Sequence, residues 1–343
     1  MENTLLTLKK IIPKEIEILQ RRYEILKGIH IYQPIGRRSL SQKLSITEKI
    51  IRNETEYLKS QGFILVSGVG MSTTDSGDTI LEDLKEIMHH VKGLNYMEEE
   101  VKRLIGCEEV VVVPGNSSEF DEIKENIGKA AGDVLLKHIK DNTIIALTGG
   151  STVYNVVKSL NNKPNTSYKD ILVVPARGSL RNNVEFQANT IVSKLAKKLG
   201  GDYELLNIPD NLSKKALDSV RKEPEIKQTI SNILKANIIL FGIGNAYEMA
   251  RRRNLPEPEM DFLHRRQAVA EALGYYFNKN GEIVYTSRSI GIKLEHMTKT
   301  PYPIAVAGGA KKAEAIMAVK NIIKNGSLII DEDAATRIIE VMK

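Results

Sequence analysis

Four segments of the chain share a composition suited to holding an anion. They are Thr148-Gly149-Gly150-Ser151-Thr152, Pro175-Ala176-Arg177-Gly178-Ser179, Gly242-Ile243-Gly244-Asn245 and Ala307-Gly308-Gly309-Ala310-Lys311-Lys312, and each follows an apolar run. Glycine lets backbone N–H groups approach a ligand closely, and a helix that starts after such a loop adds partial positive charge. Ser151 and Thr152 contribute hydroxyl donors, while Arg177 and Lys312 contribute full charges. Taken singly, each loop reads as ordinary turn chemistry. Together they point to a small phosphate-bearing ligand, with room for a phosphate at each end.

Two neighbouring segments extend this reading. Met249-Ala250-Arg251-Arg252-Arg253-Asn254 is either a solvated helix end or, if one arginine turns inward, a second phosphate clamp. Glu271 lies among small and apolar residues in Ala268–Phe277. A carboxylate there needs a partner, which either sugar hydroxyls or a core ion pair could supply.

The same residues exclude other chemistries. Gly242-Ile243-Gly244 opens like a dinucleotide fingerprint, but Tyr247 stands where the third glycine belongs and no acidic residue is placed for a ribose. There is no P-loop, which argues against a nucleoside triphosphatase. His30, His89, His90, His138, His264 and His296 all lie outside the four loops. Glu271 is then the one acid/base group that a sugar-phosphate isomerase or deaminase could use. A sensor fits better than that rival. A DNA-binding structural protein without a ligand would leave the loops at 148–152 and 307–312 unexplained.

Positioning these loops requires a sheet. Apolar runs at Val110–Val113, Ile144–Leu147, Ile171–Val174, Leu205–Ile208, Ile238–Gly242, Ile304–Ala307 and Leu328–Ile330 alternate with helical stretches. Nearly continuous apolar strands separated by helices imply an α/β unit with a parallel sheet covered on both faces. Ligands of such sheets bind beyond the carboxyl ends of the strands, where all four loops fall.

The N-terminal part differs in charge. Of a net charge of +6, residues 1–60 account for five, with 12 Lys and Arg against 7 Asp and Glu. A basic unit joined to a nearly neutral one suggests a polyanion partner. Ile11, Ile12, Ile16, Leu19, Tyr23 and Leu26 recur at helical spacing, so 13–28 reads as an amphipathic helix opened by Pro13. Leu40 and Leu44 mark a short helix, and Thr47 can cap another running to about Gln61. In that helix Ile50, Ile51, Leu58 and Tyr57 are expected to face the core; Lys49, Arg52, Asn53 and Glu56 face away. Two helices joined by a tight turn, followed by strands within 63–73 around Gly68 and Gly70, form a winged helix-turn-helix. Thr47, Lys49 and Arg52 are the candidates for base edges in the major groove. Arg37, Arg38 and Ser41, on the preceding helix, suit phosphate contacts.

A helix at about 78–91 links the units, giving boundaries of 1–77, 78–92 and 93–343. His89-His90 at its end has no Cys nearby and reads as a polar helix end and not a metal site. A single cysteine, Cys107, permits no internal disulfide, and no apolar run approaches the roughly 20 residues of a membrane span. A cytoplasmic protein is the expectation.

Several of these segments, in order along nearly the whole chain, resemble the SorC family of sugar-responsive regulators. They are Pro34–Ser41, Thr148–Thr152, Val174–Gly178, Arg252-Arg253-Asn254, Gly274-Tyr275-Tyr276-Phe277 and Ala305–Gly309. The resemblance implies a Rossmann-like effector domain similar in fold to sugar-phosphate isomerases and glucosamine-6-phosphate deaminase, but serving as a sensor. It further implies a repressor of a glycolytic operon, the one containing glyceraldehyde-3-phosphate dehydrogenase, released by fructose 1,6-bisphosphate. No cofactor is implied. A homo-oligomer, a dimer or paired dimers, would face a repeated or palindromic operator. The effector contacts it implies are Ser151, Thr152, Arg177, Gly178, Ser179, Gln187, Arg252, Glu271 and Lys312; Gly149 and Gly150 join them from the loop reading. Ser151 stands where the family has Thr, which keeps the hydroxyl. Ser179 stands where Gly is usual, which adds a side chain beside a phosphate.

Overall fold

A computed structural model of the chain describes residues 11–44, 46–91, 93–160, 168–178, 183–208, 213–297 and 302–342. Two compact units divide between Asn95 and Tyr96.

The first unit opens with α1 (Pro13–Tyr32), which has Pro13 in its first turn and runs four residues beyond the 13–28 expected. The extension buries Ile29 against Ile25, Leu40, Ile51 and Met71. Ile11 is 71% exposed and takes no part in the core. Helix α2 (Arg37–Leu44) and helix α3 (Glu48–Ser60) follow, joined by a turn in which the Ser41 hydroxyl donates to Ile46 O at 2.6 Å. Strands β1 (Ile64–Ser67) and β2 (Gly70–Thr73) form an antiparallel hairpin with Ser67 opposite Gly70. Ile35 bridges to Met71, adding a third short pairing that ties the hairpin to the start of α2. Helix α4 (Asp75–Val91) packs Leu84, Ile87, Met88 and Val91 onto Ile16, Leu19 and Tyr23 of α1. The segment expected to act as a linker is thus part of the first unit's core. The side chains of His89 and His90 lie outside the described residues.

Helix α5 (Leu94–Ile105) begins at the division and leads into β3 (Glu109–Val113), α6 (Asp121–His138) and β4 (Ile144–Leu147). Then come α7 (Ser151–Ser159), β5 (Leu172–Pro175), α8 (Ala188–Leu199) and the short β6 (Asp202–Tyr203). Two helices, α9 (Lys214–Val220) and α10 (Pro224–Leu234), precede β7 (Ile238–Gly242). Strand β12 (Tyr302–Val306) and strand β13 (Ser327–Asp331) complete a seven-stranded parallel sheet of order β3-β13-β12-β7-β4-β5-β6. On one face Ile145, Leu147, Leu240, Ile304 and Ile329 pack with residues of α6, α7 and α8. Alternate residues Ile239, Phe241, Ala305 and Leu328 are equally buried on the other face, so both sides are covered.

The run expected as a strand at Leu205–Ile208 is not one. Strand β6 pairs with β5 only at Asp202 and Tyr203. Beyond it the Asn189 side chain bonds Leu206, accepting from its N at 3.1 Å, and so takes the place of a ladder partner. Leu206 and Ile208 are buried nonetheless, so their apolar character reports packing and not pairing.

An element absent from the sequence expectation is an antiparallel sheet of β8 (Gly244–Asn245), β9 (Ala268–Ala272), β10 (Tyr275–Asn278) and β11 (Ile283–Thr286). Its register sets Gly244 opposite Glu271, which carries that carboxylate to the carboxyl end of β7. Between β8 and β9 lies α11 (Ala246–Arg252), which stops within the arginine run and leaves Arg253 as its C-cap.

Candidate effector site and DNA-facing surface

A cavity of about 420 Å³ opens beyond the carboxyl ends of β4, β5 and β7, closed on one side by the turn at 310–312. Gly149, Gly150, Ser151, Thr152, Arg177, Gly178, Gln187, Arg252, Glu271 and Lys312 all line it. Ser179 lies outside the described residues.

Helix α7 starts at this cavity. Gly150 is its N-cap at φ 120°, a conformation open to glycine, and no side chain caps the helix. The first intrahelical bond runs from Tyr154 N to Gly150 O, which leaves the N–H groups of the first turn for the cavity. Gly128 of α6 explains how α7 sits so close: a Cβ there would come within 2.6 Å of Asn155 O.

The floor of the cavity is a buried charge cluster. Glu271 Oε1 accepts from Arg253 Nη2 at 2.8 Å and from Gly274 N at 2.7 Å, with Arg177 Nη1 3.5 Å away. Arg177 Nη2 donates to Ser287 Oγ at 2.9 Å. Both alternatives raised for Glu271 are therefore compatible with its position: it forms a core ion pair and it lines the cavity. Of the three arginines, Arg253 turns inward and is buried, while Arg252 lies exposed at the cavity wall. The residue reading left open which arginine turns inward, and the family resemblance implied Arg252; the cavity is lined by both Arg252 and Arg253.

Lys312 faces the cavity from the turn that follows Gly309, and it is partly buried. Its backbone N–H donates to Gly309 O at 3.0 Å, but among the described residues its ammonium forms no hydrogen bond or ion pair. Burial pulls its ammonium below the ordinary lysine value; Arg252 adds to this, while Glu248 and Asp331 oppose it. Asp331, fully buried, fixes the turn: it accepts from Gly309 N at 2.9 Å, Ser117 N at 2.8 Å and Ala334 N at 3.0 Å. Asp333 accepts from Ala310 N at 2.9 Å. The reading from sequence missed these carboxylates as well as Asn183 and Glu248 of the cavity wall. An aspartate capping the last helix was a visible signal for Asp331; its hold on residues more than 200 positions away was not.

In the first unit α3 exposes Thr47, Lys49, Arg52 and Asn53 and buries Ile51 and Leu58. Tyr57, expected in the core, is 40% exposed and lies beneath the Arg22 guanidinium. Its place is taken by Glu54 and Thr55. Glu54 accepts from Arg21 and Arg22 of α1 at 2.8 Å each, which makes a carboxylate tolerable there. Burial alone would raise its pKa, but the hydrogen bonds from Arg22 and Arg21 outweigh it and hold the carboxyl below its usual range. Arg37 and Arg38 stand at the start of α2, each 3.9 Å from a carboxylate of α3, Glu56 and Glu48 respectively. Ser41 spends its hydroxyl on the turn, so a phosphate contact from it would have to displace that bond.

A basic winged helix-turn-helix joined to an α/β unit with a cationic cavity defines a class, the ligand-responsive DNA-binding regulators. Comparison with known proteins agrees. The model of the CggR N-terminal DNA binding domain matches residues 18–88, and that of a sugar-binding domain, Sugar-bind, matches residues 89–340. The chain is 39% identical over 333 residues to the central glycolytic genes regulator of Priestia megaterium, covering 96% of each chain. It is 38% identical over 331 residues to that of Bacillus subtilis, covering 96% of this chain and 97% of the other. A structure described as a SorC family transcriptional regulator from Enterococcus faecalis superposes with a TM-score of 0.66 at 36% identity, over 71% of this chain and 99% of that one. The chain belongs to the SorC family of sugar-binding transcriptional regulators. No helix among the described residues is long and apolar enough to cross a membrane.

Proposed function

We propose that the protein is a repressor of glycolytic genes, that it acts in the cytoplasm, and that fructose 1,6-bisphosphate releases it from its operator. The observation that carries this reading is the charge balance of the cavity. Among the described lining residues four cations, Arg177, Arg252, Arg253 and Lys312, stand against two carboxylates, Glu248 and Glu271, and the Lys312 ammonium makes no ion pair among the described residues. Unbalanced cations in a partly closed cavity favour a dianion. The N–H groups of the first turn of α7, left open by the intrahelical bonds, would supply a second phosphate subsite. Glu271 and the Thr152 hydroxyl suit sugar hydroxyls between them. The names of the relatives from Priestia megaterium and Bacillus subtilis support the choice of glycolytic genes as targets.

In the first unit Thr47, Lys49 and Arg52 would read base edges, and Arg37 and Arg38 would hold phosphates. Two or four copies would present their α3 helices to a repeated operator, and effector binding would favour an arrangement that spaces them wrongly. The test is thermal stabilisation of the full chain by a panel of glycolytic phosphates. Fructose 1,6-bisphosphate at 100 times its Kd should add about 2.7 kcal/mol. Stabilisation by none of the panel would overturn the reading.

A further inference from the structure

A second cavity, of about 310 Å³, shares Arg177 with the first as a lining residue. Its walls come from three places: the end of α9, the β9–β10 turn and the 286–293 segment. That segment is held against the β5 extension by Gly178 N to Ile290 O at 2.9 Å and Ile292 N to Ala176 O at 2.8 Å. Gly274, at φ 85°, is required here, because a Cβ would overlap the Arg177 guanidinium.

The lining is one-signed. Arg177, Arg221, Arg288 and Lys293 are its charged members, and no Asp or Glu lines it. Ser287, Ser289 and Thr286 add hydroxyls. Arg221 and Arg288 form no side-chain hydrogen bond or ion pair among the described residues, and Lys293 pairs outward with Glu295 at 3.3 Å. Four cations gathered on one concave surface repel one another, and the repulsion falls when an anion enters. Guanidinium forks match the oxygens of a phosphate, and the volume is at the small end for ligand sites.

We propose that this cavity is a second oxyanion site, taking inorganic phosphate or the phosphate group of a small monoester. Arg221 and Arg288 hold the anion, and the Ser289 hydroxyl, which donates to Ile290 O at 3.2 Å in the empty cavity, turns to donate to it. Arg177 is common to both cavities and lies between Ser287 on this side and Glu271 on the other. An anion here competes for Arg177 with a ligand in the first cavity. That consequence rests on the effector reading given above; the site itself does not.

The test is calorimetric titration of the full chain with inorganic phosphate at constant ionic strength. It uses wild type, the double variant Arg221→Ala/Arg288→Ala and Lys312→Ala, each checked for folding by circular dichroism. Arg221 and Arg288 are exposed, so the double variant should fold. Saturable binding in wild type and in Lys312→Ala, weakened at least ten-fold in the double variant, is the expected result. The double variant should bind fructose 1,6-bisphosphate as wild type does. No saturable binding in wild type, equal binding in wild type and the double variant, or binding lost only in Lys312→Ala would each overturn the proposal. Failure of fructose 1,6-bisphosphate to bind any of the proteins, with the phosphate pattern intact, would sink the effector reading and leave this site standing.

Discussion

Replacing Lys312 with methionine keeps an apolar stem of similar length and removes the ammonium, and two measurements should move in opposite directions. Lys312 has no ion-pair partner among the described residues, and burial depresses its pKa. The empty protein therefore bears a cost for holding the charge, and the variant should be more stable by ~0.5–2 kcal/mol, as is common when a functional polar group is replaced by an apolar one. For a unit of about 250 residues that is a rise of roughly 1–8 °C in Tm. The pH dependence follows from the sign of the shift. The unfolded chain binds this proton more tightly than the folded one, so stability rises with pH toward the ordinary lysine value of about 10.5. The variant should lack that slope. Ligand binding should suffer instead. A charge-assisted hydrogen bond to phosphate is worth about 1.5–3 kcal/mol, which corresponds to a Kd weaker by about 10- to 150-fold. Thermal melts and titration calorimetry with fructose 1,6-bisphosphate measure both. Binding within two-fold of wild type, or an empty variant that melts several degrees lower, would refute the reasoning.

Three further outcomes are expected. Glu271→Gln leaves Arg177 and Arg253 buried without their carboxylate, so the second unit should lose about 3–5 kcal/mol, read by denaturant unfolding. Arg52→Ala should weaken operator binding by about 1–3 kcal/mol and relax specificity at the base pair it reads, while fructose 1,6-bisphosphate binds unchanged; fluorescence anisotropy with operator duplexes substituted one base pair at a time reports it. The Cys107 thiol is buried and its pKa is pushed up to about 11, so a disulfide reagent at pH 8 should label it slowly in the folded protein and fast after denaturation.

Much of this arrangement was legible in the residues. Strands β4 and β7 begin and end where their apolar runs do, because strands buried on both faces need no polar alternation. The helix-turn-helix was equally plain, since Leu40, Ile51 and Leu58 hold its period. What escaped depends on distant partners. Strand β9 reads as Ala-Val-Ala-Glu-Ala, too small and too polar in its middle to signal a strand, and its edges are set by tertiary pairing with β8 and β10. Tyr57 left the core because Arg21 and Arg22, more than 30 residues away, made Glu54 the better inward residue. Which of three consecutive arginines points inward depends on where α11 stops, a detail that identical neighbours cannot disclose.

The central claim is that a sugar phosphate in the cavity controls grip on DNA. Its most direct test is the affinity of the full chain for a duplex it has selected from a random pool, measured with and without fructose 1,6-bisphosphate. A coupling of about 2.7 kcal/mol, within the usual allosteric range, would weaken DNA binding about 100-fold in wild type. In Lys312→Met the same sugar concentration should have little effect. An operator affinity that stays within two-fold of its starting value at saturating fructose 1,6-bisphosphate would contradict the account.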